Sequence, residues 1–153
     1  MKIKCLYNTG KALLEHLQKA LGVTEYTEYG LLKVGKEYIV MGMLLGEGVL
    51  DYLIDDGGII STYPYQLFEI VDNKISLSWH FRTFTKGDIN YPFQEAVWGY
   101  SELVSDDNHY ENLVEKEEEA HRIYFKRKKE LEEEFSDKKD EDDLDPDWWD
   151  KLK

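Results

Sequence analysis

The sequence contains one cysteine, three prolines and no apolar run long enough to cross a bilayer, which takes about 18 or more residues. A single thiol at Cys5 excludes an internal disulfide and a zinc site built from several cysteines. The first residues also lack the pattern of a signal peptide. These absences predict a cytoplasmic protein in which Cys5 is a small buried hydrophobic side chain.

Positive charge is scarce as well. Nineteen Lys and Arg residues stand against 32 Asp and Glu, which gives a formal net charge of -13. Nucleic acids and anionic membranes attract proteins that present positive charge, so direct binding to either is not expected. A protein partner that is itself basic suits this composition better.

Catalytic motifs are missing too. The chain has no glycine-rich phosphate loop, no nucleophile elbow and no pair of histidines spaced one helical turn apart. We therefore expect no cofactor and no metal. Asp51, Asp55 and Asp56 lack the spacing of a calcium loop and are interpreted as turn residues. His80 is the one histidine with a candidate role, in a groove or as a general base.

The sequence does contain a series of short strand-like segments between residues 31 and 82, separated by turn residues. Gly46-Glu47-Gly48 predicts a hairpin, and Asp55-Asp56-Gly57-Gly58 predicts the next turn. The segment ISLSWHFR alternates between apolar and polar residues, which is typical of a half-buried strand. This alternation places Trp79 and Phe81 in the core, and we expect the same of Tyr38, Val40, Leu53 and Phe68.

Five such strands at intervals of about ten residues predict a strongly bent antiparallel sheet. In this rhythm, which begins with VGKEYIVMGM, the segment resembles the SH3-like barrels of many small bacterial proteins. The resemblance implies a small barrel or a curled antiparallel sheet of five to six strands. It implies no functional site, because such barrels have unrelated functions.

An N-terminal helix is predicted from Thr9 to Gly22, where leucines recur at helical spacing. Asn8 or Thr9 is expected to cap its start, and Gly22 is expected to end it. Before this helix, Lys2 to Tyr7 alternate in the manner of a short edge strand or an extended lead-in.

The last third of the chain is predicted to be helical and strongly charged. A final strand should turn helical near Ser101, and a long helix should follow over 105–136, with a break near Glu115 as an alternative. The charged face of this helix is expected to be exposed to solvent, and its apolar stripe is a candidate surface for a homodimer. We thus expect three parts: a domain of one helix and the β-barrel over 1–104, the long helix over 105–136, and a flexible acidic tail over 137–153.

Aromatic residues provide the candidate partner-binding positions. Trp148 and Trp149 stand in the acidic tail, where two exposed indole rings would be costly unless they dock, either on this chain or on a partner. Tyr63 and Tyr65 flank Pro64 and form a second candidate pair, with a place in the barrel core as the alternative.

Taken together, these features predict an α+β protein that acts as a non-enzymatic interaction module for a basic partner, of the adaptor or toxin-immunity type. Two alternatives stay open at this point. One is an acidic mimic or regulator of nucleic-acid binding, and the other is a small enzyme that uses His80.

Overall fold

The structure, a computed structural model, describes residues 1–85 and 93–137. These residues form two antiparallel sheets with strand orders β2-β1-β6 and β5-β4-β3-β8-β7, together with helices α1 to α4. The elements are β1 (Lys2–Cys5), α1 (Glu15–Leu21), β2 (Glu37–Ile39), β3 (Gly42–Gly46), β4 (Val49–Asp56), β5 (Ile59–Pro64), β6 (Phe68–Asp72), β7 (His80–Thr83), β8 (Gln94–Gly99), α2 (Ser101–Ser105), α3 (His109–Val114) and α4 (Glu118–Asp137). Short 3₁₀ turns precede α1 and β6. The predicted α+β class is confirmed.

The two sheets do not form a closed barrel, so the SH3-like barrel is not confirmed. The reason lies in the segment Lys36 to Leu45, KEYIVMGMLL, whose apolar residues predict one continuous strand but which the structure divides between β2 and β3. Val40 and Met41 are both fully buried, but they belong to different hydrophobic cores, and the chain passes from the smaller sheet to the larger one at this point. It returns after Pro64, where β5 ends and β6 pairs with β1.

The first strand is central in its sheet, which corrects the expectation of an edge strand. β1 pairs with β2 on one side and with β6 on the other. Ile3 and Cys5 are fully buried on its inner face. The prediction that Cys5 is a buried hydrophobic side chain is confirmed.

The larger sheet carries a hydrophobic core on each face. One core packs between the two sheets and against α1, and the other packs between the larger sheet and helices α2 to α4. Of the predicted core residues, four are buried as expected: Tyr38, Val40, Leu53 and Phe68. Trp79 is only half-buried.

Both predicted hairpins are present. Glu47 and Gly48 connect β3 to β4 with φ values of 49° and 76°, and Gly57 and Gly58 connect β4 to β5 with φ values of 57° and 87°. Two consecutive positive φ values are typical of the tight turn that suits twisted antiparallel strands.

The N-terminal helix is shorter than predicted. It begins at Glu15 after Leu14, and neither Asn8 nor Thr9 caps it. Thr9 forms a β-bridge with Glu28, which keeps the chain extended there. Its end is as predicted, because Gly22 adopts the left-handed conformation with φ of 67°.

The strand predicted for ISLSWHFR is mostly a turn. Trp79 N–H donates to the Ser76 carbonyl, and β7 begins only at His80. Leu77 is 90% exposed and Phe81 is 56% exposed, so the expectation that Phe81 is a core residue is wrong. The alternation of residue types was real, but the backbone does not stay extended along it.

The C-terminal third is helical as predicted, but the single long helix over 105–136 is wrong: three helices cover this part of the chain, and the alternative of a break near Glu115 is the one observed. β8 leads directly into α2 at Ser101, and the long helix is broken at Glu115 and Lys116, where Lys116 has a φ of 61°. The apolar stripe of α3 and α4 packs against this chain's own larger sheet through Leu113, Tyr124 and Leu131. The homodimer stays a prediction. In residues 1–85 and 93–137, no helix combines the length and apolar composition that a membrane span needs.

Candidate interaction surface

Cross-strand register aligns five apolar side chains across the larger sheet. From β5 to β7 they are Tyr63, Tyr52, Met43, Trp98 and Phe81. Side-chain exposure is low at the β5 end of this row and high at the β7 end: Tyr63 is 7% exposed and Tyr52 4%, Met43 and Trp98 are half-buried, and Phe81 is 56% exposed. The row is therefore one apolar surface that is covered at β5 and open at β7.

The smaller sheet explains this gradient. Phe68 of β6 makes edge-to-face contacts with Tyr52 and Tyr63, at ring-centroid distances of 5.9 Å and 6.4 Å. At the other end, the Phe81 ring lies 4.8 Å from the Trp98 ring, with a 32° angle between their planes. Phe81 is thus in contact with a neighbouring ring, while more than half of its side chain remains in solvent. We call Phe81 and Trp98 the open apolar end.

The outer edge of β7 adds backbone groups to this surface. β7 pairs with β8 on one side, and no strand of the described part of the chain pairs with its other side. Unpaired N–H and C=O groups along an edge strand are a template on which an extended segment can add.

The turn that leads into β7 is tied to α4. Glu134 accepts hydrogen bonds from Ser76 Oγ at 2.6 Å and from Leu77 N–H at 3.0 Å. Two apolar side chains are nevertheless left in solvent here, Ile75 at 50% and Leu77 at 90% exposure. Exposed apolar side chains close together in the chain mark contact surfaces more often than single ones do.

His80 lies on the same strand as Phe81 but points to the opposite face, because side chains alternate along a strand. Its side chain is exposed, while its backbone takes part in the β7–β8 pairing opposite Gly99. Its neighbour on that face, Arg82, forms an ion pair with Asp107 at 2.6 Å and lies over the Phe84 ring at 4.7 Å. The role of His80 as a general base stays a prediction.

No match was found when the chain was compared with protein-family models, with curated proteins and with solved structures. Function is therefore inferred from the geometry of the chain itself.

The other predicted partner-binding residues are not brought together. Tyr63 is buried and packs edge-to-face on Tyr29, with 5.9 Å between the ring centroids. This position agrees with the alternative prediction that Tyr63 is a core residue. Tyr65 lies in the 3₁₀ turn after Pro64 and is 44% exposed. Trp148 and Trp149 lie outside the described residues, and the prediction about them stays open.

A second polar feature lies beside the β3–β4 hairpin. A cavity of about 180 Å³ is lined by Asp51 of β4 and Gln94 of β8, together with apolar side chains such as Leu44 and Val49. Asp51 Oδ1 and Gln94 Oε1 are buried, and neither has a hydrogen-bond partner among the described residues. Burial raises the pKa of Asp51 to about 6.

The other two aspartates of β4 are fully partnered. Asp56 accepts hydrogen bonds from Tyr38 Oη at 2.6 Å, Lys36 Nζ at 2.9 Å and Lys33 Nζ at 3.0 Å. The bonds from Tyr38 and Lys36 hold the pKa of Asp56 well below its usual range. Asp55 accepts a hydrogen bond from Tyr124 Oη at 3.0 Å and pairs with Lys128 at 2.9 Å.

These contacts correct the interpretation of the aspartates as turn residues. All three lie within β4, and the turn that follows is formed by Gly57 and Gly58. Within the described ranges, no group of three or more His, Cys, Asp or Glu residues could hold a metal ion. Sequence reasoning missed the cavity. Its signal is Asp51 itself, an acidic residue inside the otherwise apolar segment VLDYLI.

Proposed function

We propose that this chain is a non-enzymatic, cytoplasmic interaction module that binds a basic protein through its open apolar end and the outer edge of β7. The observation that supports the proposal is Phe81, an aromatic side chain stacked on Trp98 yet 56% exposed, on a strand whose outer side is unpaired within the described residues. Aromatic anchors that are already held in place contribute strongly to protein interfaces.

Strand addition is the binding mode that fits this geometry. A segment of the partner would pair with the backbone of β7, and one of its alternating side chains would pack on the Phe81 ring. Main-chain hydrogen bonds would supply affinity, and the aromatic contact would supply specificity.

The charge of the chain sets the character of the partner. A net charge of -13 attracts a basic surface over a long range and speeds encounter. Glu95, three residues before Trp98 on β8, is an exposed acidic residue on the strand next to β7. The adaptor or toxin-immunity class is the one we propose, because members of either class bind a protein rather than a small substrate.

The exposed face of α4 does not favour the alternative of a nucleic-acid mimic. A mimic of the phosphate backbone needs a row of like charges, whereas this face mixes Glu119 and Glu130 with Arg122, Lys126 and Lys129. Mixed signs on a helix are ordinary for a solvated surface.

Site-specific photo-crosslinking tests the proposal. A photoreactive phenylalanine analogue is placed at Phe81 in one sample and at Tyr26 in another, since Tyr26 is an aromatic residue 82% exposed in the loop after α1. We expect position 81 to crosslink one basic protein specifically and position 26 not to do so.

The affinity of that protein is then measured for Phe81→Ser and Tyr26→Ser. We expect a loss of about ten-fold or more for the first variant, as for an interface anchor, and no change for the second. Equal affinity of both variants, or crosslinking from position 26 alone, would show that the open apolar end is not the binding surface.

A further inference from the structure

We propose that the cavity beside the β3–β4 hairpin is a binding site for a primary alkylammonium group, either a free alkylamine or the side chain of a lysine. The proposal stands on this cavity alone, and it holds whether or not Phe81 contacts a partner.

Two buried acceptors define the polar end of the site. Asp51 Oδ1 and Gln94 Oε1 line the same cavity and have no hydrogen-bond partner in the described part of the chain. A buried acceptor without a donor is costly, so such groups in a cavity call for a ligand or water that donates. An ammonium group supplies three donors and the charge that a carboxylate needs.

The walls and the size of the cavity fit an alkyl stem. Leu21, Leu44, Val49 and Phe93 contribute apolar surface around the two acceptors. An apolar cavity of about 150 Å³ admits benzene, which has six non-hydrogen atoms, so a cavity of about 180 Å³ has room for a ligand of that size. Butylammonium and pentylammonium have about that many non-hydrogen atoms.

Other cations fit less well. A guanidinium group binds best to both oxygens of one carboxylate, whereas here the unpartnered oxygens come from two residues, Asp51 and Gln94. A divalent cation needs more oxygen ligands than these, and the described residues contain no group of three or more metal-ligating side chains. The compact ammonium is the cation that matches the buried carboxylate of Asp51, the amide of Gln94 and the apolar walls, and the exposed carboxylate of Glu47, which also lines the cavity, adds to the attraction for a cation.

Titration with pentylamine, followed by methyl NMR of Leu44 and Val49, tests the site. Pentan-1-ol serves as the uncharged control ligand. We expect saturable shifts of these methyl signals with the amine, and at least about ten-fold weaker binding of the alcohol, since one charge-assisted hydrogen bond is lost.

Three variants make the test specific. Asp51→Asn and Gln94→Leu change the two acceptors, and Glu25→Gln removes one negative charge from the exposed loop after α1. We expect about ten-fold weaker amine binding for Asp51→Asn and a smaller loss for Gln94→Leu, with Glu25→Gln unchanged. The proposal is overturned if amine and alcohol bind equally, if no methyl signal shifts, or if both cavity variants bind the amine as the wild type does.

The source of the ammonium is decided by a second ligand. N-acetyl-lysine N-methylamide carries an alkylammonium group as the side chain of a peptide backbone. If the protein binds both compounds in separate titrations, the occupant is identified as a lysine of a protein. Binding of pentylamine alone would identify a free alkylamine, because the mouth of the cavity would then exclude a peptide.

Discussion

Asp56 and Asp51 lie on the same strand, and each has a buried carboxylate oxygen, yet their surroundings differ. Asp56 accepts three hydrogen bonds, from one tyrosine and two lysines. Asp51 Oδ1 accepts none from the described residues and faces a cavity. One carboxylate is therefore stabilised by the fold, whereas the other is held in the fold at a cost to stability.

The same contrast appears along the row of apolar side chains. Tyr52 is covered by Phe68 of the smaller sheet, whereas Phe81 has one ring, Trp98, beside it and solvent on the other side. Phe81, at the open end of the row, keeps more than half of its side chain in solvent, and Asp51 Oδ1, beside the β3–β4 hairpin, has no donor among the described residues. Binding is expected at groups of these two kinds.

The largest expected loss of stability comes from a substitution in the covered half of the larger sheet. Tyr52→Ala removes a ring that is 4% exposed and leaves a cavity between the two sheets. We expect the free energy of unfolding to fall by about 4 kcal/mol. Urea denaturation at pH 7.5 measures it. A loss below about 1 kcal/mol would mean that the smaller sheet does not pack on this residue.

Asp56→Ala should cost somewhat less, about 3 kcal/mol, because it leaves the buried Tyr38 hydroxyl without its acceptor and separates two lysines from their counter-charge. Since the pKa of Asp56 is lowered in the folded state, this stabilisation is present above the ordinary value of 3.8 and is lost as the pH falls below it. Urea titrations at pH 7.5 and 5 should give the same difference from wild type. Glu25→Ala is the control, with no expected change.

Asp51→Asn should raise the free energy of unfolding, whereas the two preceding substitutions lower it. The folded protein holds a proton on Asp51 up to about pH 6, whereas the unfolded chain releases it near 3.8, so wild-type stability falls as the pH rises through that window. We expect the variant to be more stable by about 1 to 2 kcal/mol at pH 7.5, and the gain to disappear near pH 4. A destabilised variant at pH 7.5 would show that Asp51 has a donor after all.

The smallest expected effect on stability is at the open apolar end. Phe81→Ala removes an exposed ring and its contact with Trp98, which should cost about 1 kcal/mol or less. Tyr52→Ala in the same row is the reference measured under identical conditions. Equal losses from the two substitutions would mean that Phe81 is covered, and the contrast between the two halves would fail.

Local patterns were sufficient for several elements. The two glycine-containing hairpins and the left-handed end of α1 at Gly22 were predicted and are present, and the break near Glu115 was one of two alternatives for the last helix. Each depends on residues close together in the chain, because a positive φ or a missing helical hydrogen bond is decided within a few residues.

Several predictions that needed long-range information failed. Phe81 was expected in the core because it alternates with polar residues, and alternation does not reveal whether a second layer covers that part of the sheet. Asp51 and Asp56 looked like equivalent turn residues, and the donors that separate them come from other segments of the chain.

What the sequence determined by itself was the α+β class, most turns and the strong acidity, all of which follow from composition and local geometry. Only the tertiary structure decided that the strands divide into two sheets, with Val40 and Met41 in different cores. It also decided that the smaller sheet covers Tyr52 and Tyr63 and leaves Phe81 in solvent. The physical reason is that burial is a property of surfaces brought together across the fold, and no single segment of the chain contains both of them.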